Sequence, residues 1–229
     1  MRDLYSLLTG PVLVLSLLVF CAGMAWRVYW YIKGLDWKLD RVAYRPHLKQ
    51  GLKGAAQSVY RWLMPYGTNA WRRSPFFATA FFVFHLGAVF VPLLLAGHMV
   101  IMQRVFGFSL PSLPQIVADL LTLGTLGAGA FIIARRLALP EVRILTTVND
   151  YFILALTLAP FVTGFLAATG VPGYDFWLLL HILCGEAFLI LAPFTKLSHI
   201  VLFFMSRGQL GMDYSIKRGG DYRGTSFPW

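Results

Sequence analysis

Four histidines lie inside apolar stretches, where an imidazole can ligate a metal, carry a proton or satisfy a buried carbonyl. His85 and His98 fall in F-F-A-T-A-F-F-V-F-H-L-G-A-V-F-V-P-L-L-L-A-G-H-M-V-I-M-Q, and His181 and His199 in W-L-L-L-H-I-L-C-G-E-A-F-L-I-L-A-P-F-T-K-L-S-H-I-V-L-F-F. Ionisable groups at membrane depth are costly and by default face a bundle interior. His181 and His199 are eighteen residues apart. That is five whole turns, so both rings sit on one face of one helix, roughly 27 Å apart, with an imidazole near each membrane face. That distance is close to the thickness of a hydrocarbon core. His85 and His98 are thirteen apart, about 220° of rotation, so either Pro92 midway supplies part of the rotation needed to share a face, or their ligands meet the helix from different sides. The fifth histidine, His47, sits between Arg45 and Lys49 and reads as a solvated loop residue.

The elements that must carry these rings follow from composition. Of 229 residues, 58% are hydrophobic and only 13% charged, where a soluble domain would have about a quarter charged. The expectation is all-α: an integral membrane bundle of five helices over 10–32, 76–103, 115–139, 148–169 and 176–205. The first span ends in a belt-like cluster of Trp26, Tyr29, Trp30 and Tyr31. The opening M-R-D-L-Y-S-L-L-T-G is too weakly basic, and its apolar run too long, for a cleaved signal peptide. The basic segment 33–75 holds nine Lys and Arg against Asp36 and Asp40. Together with Arg135, Arg136, Arg143 and the tail from Arg207 through Lys217, Arg218 and Arg223, it marks the cytoplasmic side. The N-terminus is then outside and the C-terminus inside, with the whole chain one membrane domain. S-V-Y-R-W-L-M-P-Y-G reads as a short interfacial helix stopped by Pro65 and Gly67. Gly124, Gly127 and Gly129 of the third span let helices or a flat cofactor approach closely, close packing of helices being the favoured reading.

The net charge of +10 is accounted for by these flanks, with no nucleic-acid partner. Cys21 and Cys184 are the only cysteines and no C-x-x-C-H occurs. This excludes covalent haem attachment and a cysteine-ligated iron–sulfur cluster held by this chain alone.

Antiparallel packing of the second and fifth spans pairs His85 with His199 on the inner side and His98 with His181 on the outer. Each pair can hold one flat iron porphyrin, giving two haem b groups with both axial positions closed. That arrangement suits electron transfer rather than oxygen binding. Zinc and copper are disfavoured, because each depth offers two imidazoles without a thiolate or carboxylate cluster. A lone membrane histidine is more often a packed residue, but two matched pairs favour ligation. The competing reading is a haem-free anchor or transporter subunit whose histidines relay protons. Glu186 serves either reading, as proton carrier or as a bond to a neighbouring helix. Lys196, one turn before His199, is placed to neutralise a haem propionate or to snorkel to headgroups.

The fifth span resembles the haem-binding last span of the respiratory nitrate reductase gamma subunit. His181, Gly185, Pro193, Phe194, Thr195, Lys196, Leu197 and His199 match its pattern, as do F-H-L-G around His85 and G-H around His98. The second-span histidines stand further apart here than in that family. G-P-V-L-V near the start, R-W-L-M-P-Y-G and R-R-S-P resemble more closely the gamma-type cytochrome b subunits of large transmembrane redox complexes in sulfate-reducing bacteria. The resemblance implies a two-haem b-type cytochrome in the bacterial inner membrane. It further implies exchange with menaquinone, a cytoplasmic iron–sulfur partner, a periplasmic multihaem cytochrome c and other membrane subunits, in surrounding lipid. A quinone beside a haem edge needs open space and polar groups. Gly97, Gln103 and Arg104 supply them on the outer side, the favoured one; Lys196 and Arg73 supply them on the inner side.

Overall fold

The computed structural model describes residues 2–35 and 44–217. Lys38, Arg41, Asp36 and Asp40 of the basic segment, and Arg218 and Arg223 of the tail, lie outside the described residues. The described chain is helical throughout: α1 (Arg2–Leu7), a π-turn (Leu8–Val12), α2 (Leu13–Lys33), α3 (Leu48–Leu63), α4 (Asn69–Arg73), α5 (Pro75–Leu94), α6 (Ala96–Phe106), α7 (Gln115–Ala138), α8 (Pro140–Arg143), α9 (Val148–Ala168), α10 (Tyr174–Leu191), two 3-10 turns (Ala192–Phe194 and Lys196–Ser198) and α11 (His199–Lys217). Among the described residues five helical stretches are long and apolar enough to cross a membrane: Asp3–Lys33, Pro75–Leu94, Gln115–Ala138, Val148–Ala168 and Tyr174–Phe194. Their bare surfaces are apolar, as on α7, where Ile116, Leu120 and Leu123 stand exposed at helical spacing. An apolar surface of that extent belongs in lipid. The expectation of an all-α, five-span membrane protein holds.

Two of the expected spans are interrupted. The second breaks at Leu95, whose backbone is extended, three residues after Pro92. Pro92 has no N–H to give the preceding turn, and the Leu94 carbonyl, at the end of α5, accepts instead from Leu113 N at 2.9 Å. The fifth ends at Leu191; Pro193 and an extended Thr195 separate α10 from α11. His181 and His199 therefore do not lie on one straight helix, and the five-turn argument for a shared face fails.

The chain divides into two compact units, Met1–Phe20 with Thr79–Thr195, and Cys21–Ala78 with Lys196–Trp229. In the first, Phe84, Ala128 and Ile132 form a buried core, joined by Ala80, Val83 and Ala88 of α5 and Leu154 and Leu158 of α9. Small residues let these helices approach closely. A Cβ on Gly87 would strike the Thr125 hydroxyl and come within 2.8 Å of the Leu121 carbonyl oxygen. Gly129 abuts Leu158 and Gly124 abuts Val83, while Gly127 faces open space. The close-packing reading thus holds for two of the three glycines.

In the second unit α3 packs along α11. The helix is longer than its sequence suggests, starting at Leu48 rather than Ser58 and ending at Leu63, followed by Met64, whose extended backbone precedes Pro65. Gly51 and Gly54 weaken an isolated helix, but here they are buried with Ser58. Gly54 meets the Gly211 carbonyl and Gly211 meets the Gly54 carbonyl, while Gly51 lies under Met212. Ser215 Oγ donates to the Gln50 carbonyl at 3.0 Å, and Arg207 lies 4.4 Å over the Trp62 ring. Tyr31 donates to Gln209 and Tyr44 to Asp213. The aromatic cluster closing α2 is present, with Lys33 4.6 Å from the Trp30 ring centre. His47 is exposed, as expected.

Putting a side chain at this crossing has a definite expected cost. Gly54→Val should destabilise the α3–α11 pair by about 1–3 kcal/mol, the usual penalty of overpacking. Limited trypsin digestion at Lys53 and Arg61 in detergent should speed up accordingly. Unchanged digestion would mean that the crossing is not tightly packed.

Candidate functional site

All four candidate histidines make the same kind of backbone contact. Each Nδ1 lies against a backbone carbonyl: Phe81 for His85 at 2.7 Å, Pro92 for His98 at 2.9 Å, Pro160 for His181 at 2.8 Å and Lys196 for His199 at 2.9 Å. A carbonyl only accepts, so Nδ1 is the donor in each contact and Nε2 is left outside that bond. This is the arrangement in which a ligating histidine is held by an outer-shell partner, which fixes tautomer and ring orientation and raises basicity.

His98 and His181 come together within the first unit. Their ring centroids are 5.9 Å apart and their planes differ by 4°. An atom held between two imidazole nitrogens at about 2.0–2.1 Å each, the ordinary metal–imidazole length, needs ring centroids roughly 6 Å apart. The separation also lies within the span of ordinary aromatic pairs.

Local sequence places these rings. The break at Leu95 frees the last carbonyls of α5, and His98, in the first turn of α6, takes that of Pro92. On α9, Pro160 and Gly164 lie one turn apart on the same side. Pro160 offers its carbonyl, and Gly164 leaves the space the ring fills: a Cβ there would fall 2.8 Å from His181 Nδ1 and 2.9 Å from Cε1. Sequence reasoning passed over this pair, although a P-x-x-x-G turn on a span beside a histidine-bearing one is a readable niche. His85 belongs to the first unit and packs against Phe81 and Phe84, at 4.1 and 5.5 Å between ring centres. His199 opens α11 in the second unit and is exposed.

The remaining candidates are placed as follows. Gly97 faces open space, with nothing within 4 Å of a Cβ built on it. Gln103 gives its amide to the Gly107 carbonyl at 3.2 Å. Arg104 donates to Thr9 Oγ1 at 2.5 Å and to the Thr9 carbonyl at 3.3 Å, tying the end of α6 to the π-turn. Its guanidinium is 5.9 Å from the Tyr5 ring. Lys196 and Arg73 are exposed, and the Lys196 carbonyl holds His199. Glu186 is 5% exposed and its Oε1 has no hydrogen-bond partner among the described residues. Among those residues no group of three or more His, Cys, Asp and Glu is gathered as for a metal ion. Bis-imidazole ligation asks for two.

These features define a multi-pass, all-helical integral membrane protein in which the rings of His98 and His181 lie side by side. No family model matches the chain, and no solved structure matches it. It is 66% identical over 226 residues to a protein of Nitratidesulfovibrio vulgaris described simply as "Protein", an alignment covering 99% of this chain and all of that one. The chain belongs to the family of that bacterial protein.

The tie between Arg104 and Thr9 yields a measurable expectation. Charge-assisted hydrogen bonds contribute about 1.5–3 kcal/mol, so Arg104→Ala should lower unfolding free energy in detergent by that order. Thr9→Val should cost less, and the double variant little more than Arg104→Ala alone. Additive losses would show that the two residues act separately.

Proposed function

We propose that the protein is a di-haem b-type cytochrome subunit that moves electrons across a bacterial inner membrane within a respiratory oxidoreductase complex. The observation that carries this reading is the side-by-side placement of His98 and His181, with parallel rings 5.9 Å apart at their centroids, together with the Nδ1–carbonyl contact shared by His85, His98, His181 and His199. His98 and His181 would hold the outer group and His85 and His199 the inner one. Bound haem b would supply a one-electron centre with both axial positions filled, which favours transfer over oxygen chemistry. The chain's part is to orient the rings, through the Pro92 and Pro160 carbonyls, and to surround them with apolar side chains. The resemblance to nitrate reductase gamma subunits supports the same assignment.

The orientation in this reading is N-terminus outside and C-terminus inside, from the basic flanks. Electrons would pass between a periplasmic multihaem cytochrome c or menaquinone and a cytoplasmic iron–sulfur subunit. The basic second unit, with Arg61, Arg72, Arg73 and Arg207, suits that cytoplasmic contact by charge. Quinone exchange fits the outer side, where Gly97 leaves open space beside His98. Gln103 and Arg104 follow on the same helix, and Lys196 marks the inner alternative.

A second reading, a haem-free subunit relaying protons, draws on Glu186, a buried carboxyl with an unpartnered oxygen. The spectrum of the purified, reduced protein separates the two. A sharp b-type α band with two haems per chain is expected; its absence would leave the relay reading. His181→Ala should remove the outer haem and spare most of the inner, and His199→Ala the reverse. Gly164→Ala should weaken or shift the outer haem signal alone, because its methyl displaces the His181 ring. For the quinone side, Arg104→Gln and Lys196→Gln are compared for haem reduction by a menaquinol analogue. Slower reduction in the first is expected; loss in the second alone moves the site inside.

A further inference from the structure

Helix α3 has three faces that serve three different neighbours. At about 100° per residue, Gly51, Gly54 and Ser58 share the face that is buried against α11. Turning onward, Leu48, Val59, Leu52, Leu63 and Ala56 fall together in a sector roughly 80° wide. Leu48 and Leu52 are 51% and 54% exposed, and Leu63 is 42% exposed. Beyond them come Lys49, Tyr60, Lys53, Gln57 and Arg61, so cations line the far edge of the stripe. The helix packs within its own unit through its smallest side chains and leaves its largest aliphatic ones bare. That is the reverse of a core helix, whose apolar stripe faces the interior.

The chain limits what can cover this stripe. Eleven residues, 64–74, join α3 to the membrane helix α5. Fully extended they reach at most about 40 Å, and the α4 turn and the Arg72 Nε bond to the Tyr66 carbonyl shorten them. Upstream, α2 ends in Trp26, Tyr29 and Trp30 with Lys33 over the rings, an anchor of the type found at membrane–water interfaces. An apolar face bordered by lysines, held close to a bilayer at both ends, matches the sectoring of an interfacial helix. Lys49 and Lys53 can lay their stems along the stripe and put their ammonium groups at phosphate level.

We propose that α3 lies in the membrane–water interface, with Leu48, Leu52, Ala56 and Leu63 at the acyl boundary and Lys49 and Lys53 on anionic phospholipid headgroups. The second unit is then seated on lipid by α3 and not only by the spans that enter it. This holds whether or not the histidines bind haem, so its failure and that of the cytochrome reading are separable.

The test uses the full-length protein in nanodiscs of mixed phosphatidylglycerol and phosphatidylcholine, with Cys21→Ser and Cys184→Ala as background. Nitroxide labels at Leu52→Cys, Ala56→Cys and Gln57→Cys are read by power saturation against oxygen and a water-soluble nickel chelate. Labels at 52 and 56 should collide severalfold more with oxygen than with nickel, and the label at 57 the reverse. Pure phosphatidylcholine, or Lys49→Glu with Lys53→Glu, should raise nickel contact at 52 severalfold. Equal nickel contact at 52 and 57 would put the stripe in water and overturn the proposal. Shielding of 52 and 56 from both reagents would assign the stripe to a protein partner or a second copy instead. Depth unaffected by lipid charge and by the Lys changes would overturn the anionic-lipid part.

Discussion

A backbone carbonyl released inside a bilayer has no water to turn to, so any break in a membrane helix has to be settled by another donor. Both interrupted spans meet that requirement partly with imidazole. Where α5 stops at Leu94, His98 takes the Pro92 carbonyl and Leu113 the Leu94 carbonyl. Where α10 gives way to α11, His199 takes the Lys196 carbonyl. His85 and His181 bond carbonyls within helices, at Phe81 and Pro160, where a second lone pair remains available. One bond therefore settles the backbone and selects the ring tautomer. For His98 and His199 the placement of the ring is inseparable from the geometry of the break.

This coupling explains which features could be read from residues alone. The apolar spans, the aromatic cluster closing α2 and the close approach at Gly124 and Gly129 follow from composition and local spacing. The pairing of His98 with His181 follows from counting positions on antiparallel spans. The five-turn relation of His181 to His199 does not survive, because it presumes a continuous helix through Pro193 and Thr195. The length of α3 was hidden for the opposite reason. Gly51 and Gly54 weaken an isolated helix, and their role shows only once Met212 is placed against the first and Gly211 against the second, more than 150 residues downstream. Arg104 illustrates the same limit: its engagement with Thr9 depends on two segments whose proximity no local pattern encodes.

Glycine does different work in the two units. Gly164 makes room for a ring, and an added methyl would meet His181. Gly54 and Gly211 make room for each other's backbone. The first sets the position of one side chain, so its replacement should be felt locally. The second sets the separation of two whole helices, so its replacement is felt along their length.

The bond between Arg104 and Thr9 also bears on how the chain is assembled. Its partners are 95 residues apart, and synthesis proceeds at about 5–20 residues per second. The π-turn is thus made roughly 5 to 20 s before the guanidinium that bridges its Thr9 carbonyl and hydroxyl exists. During that interval the first helix must rest on lipid or on the insertion machinery without this cross-link, its Thr9 hydroxyl bonded only within the helix, to the Tyr5 carbonyl. Its final seating is a post-insertion event, timed by the arrival of the end of α6.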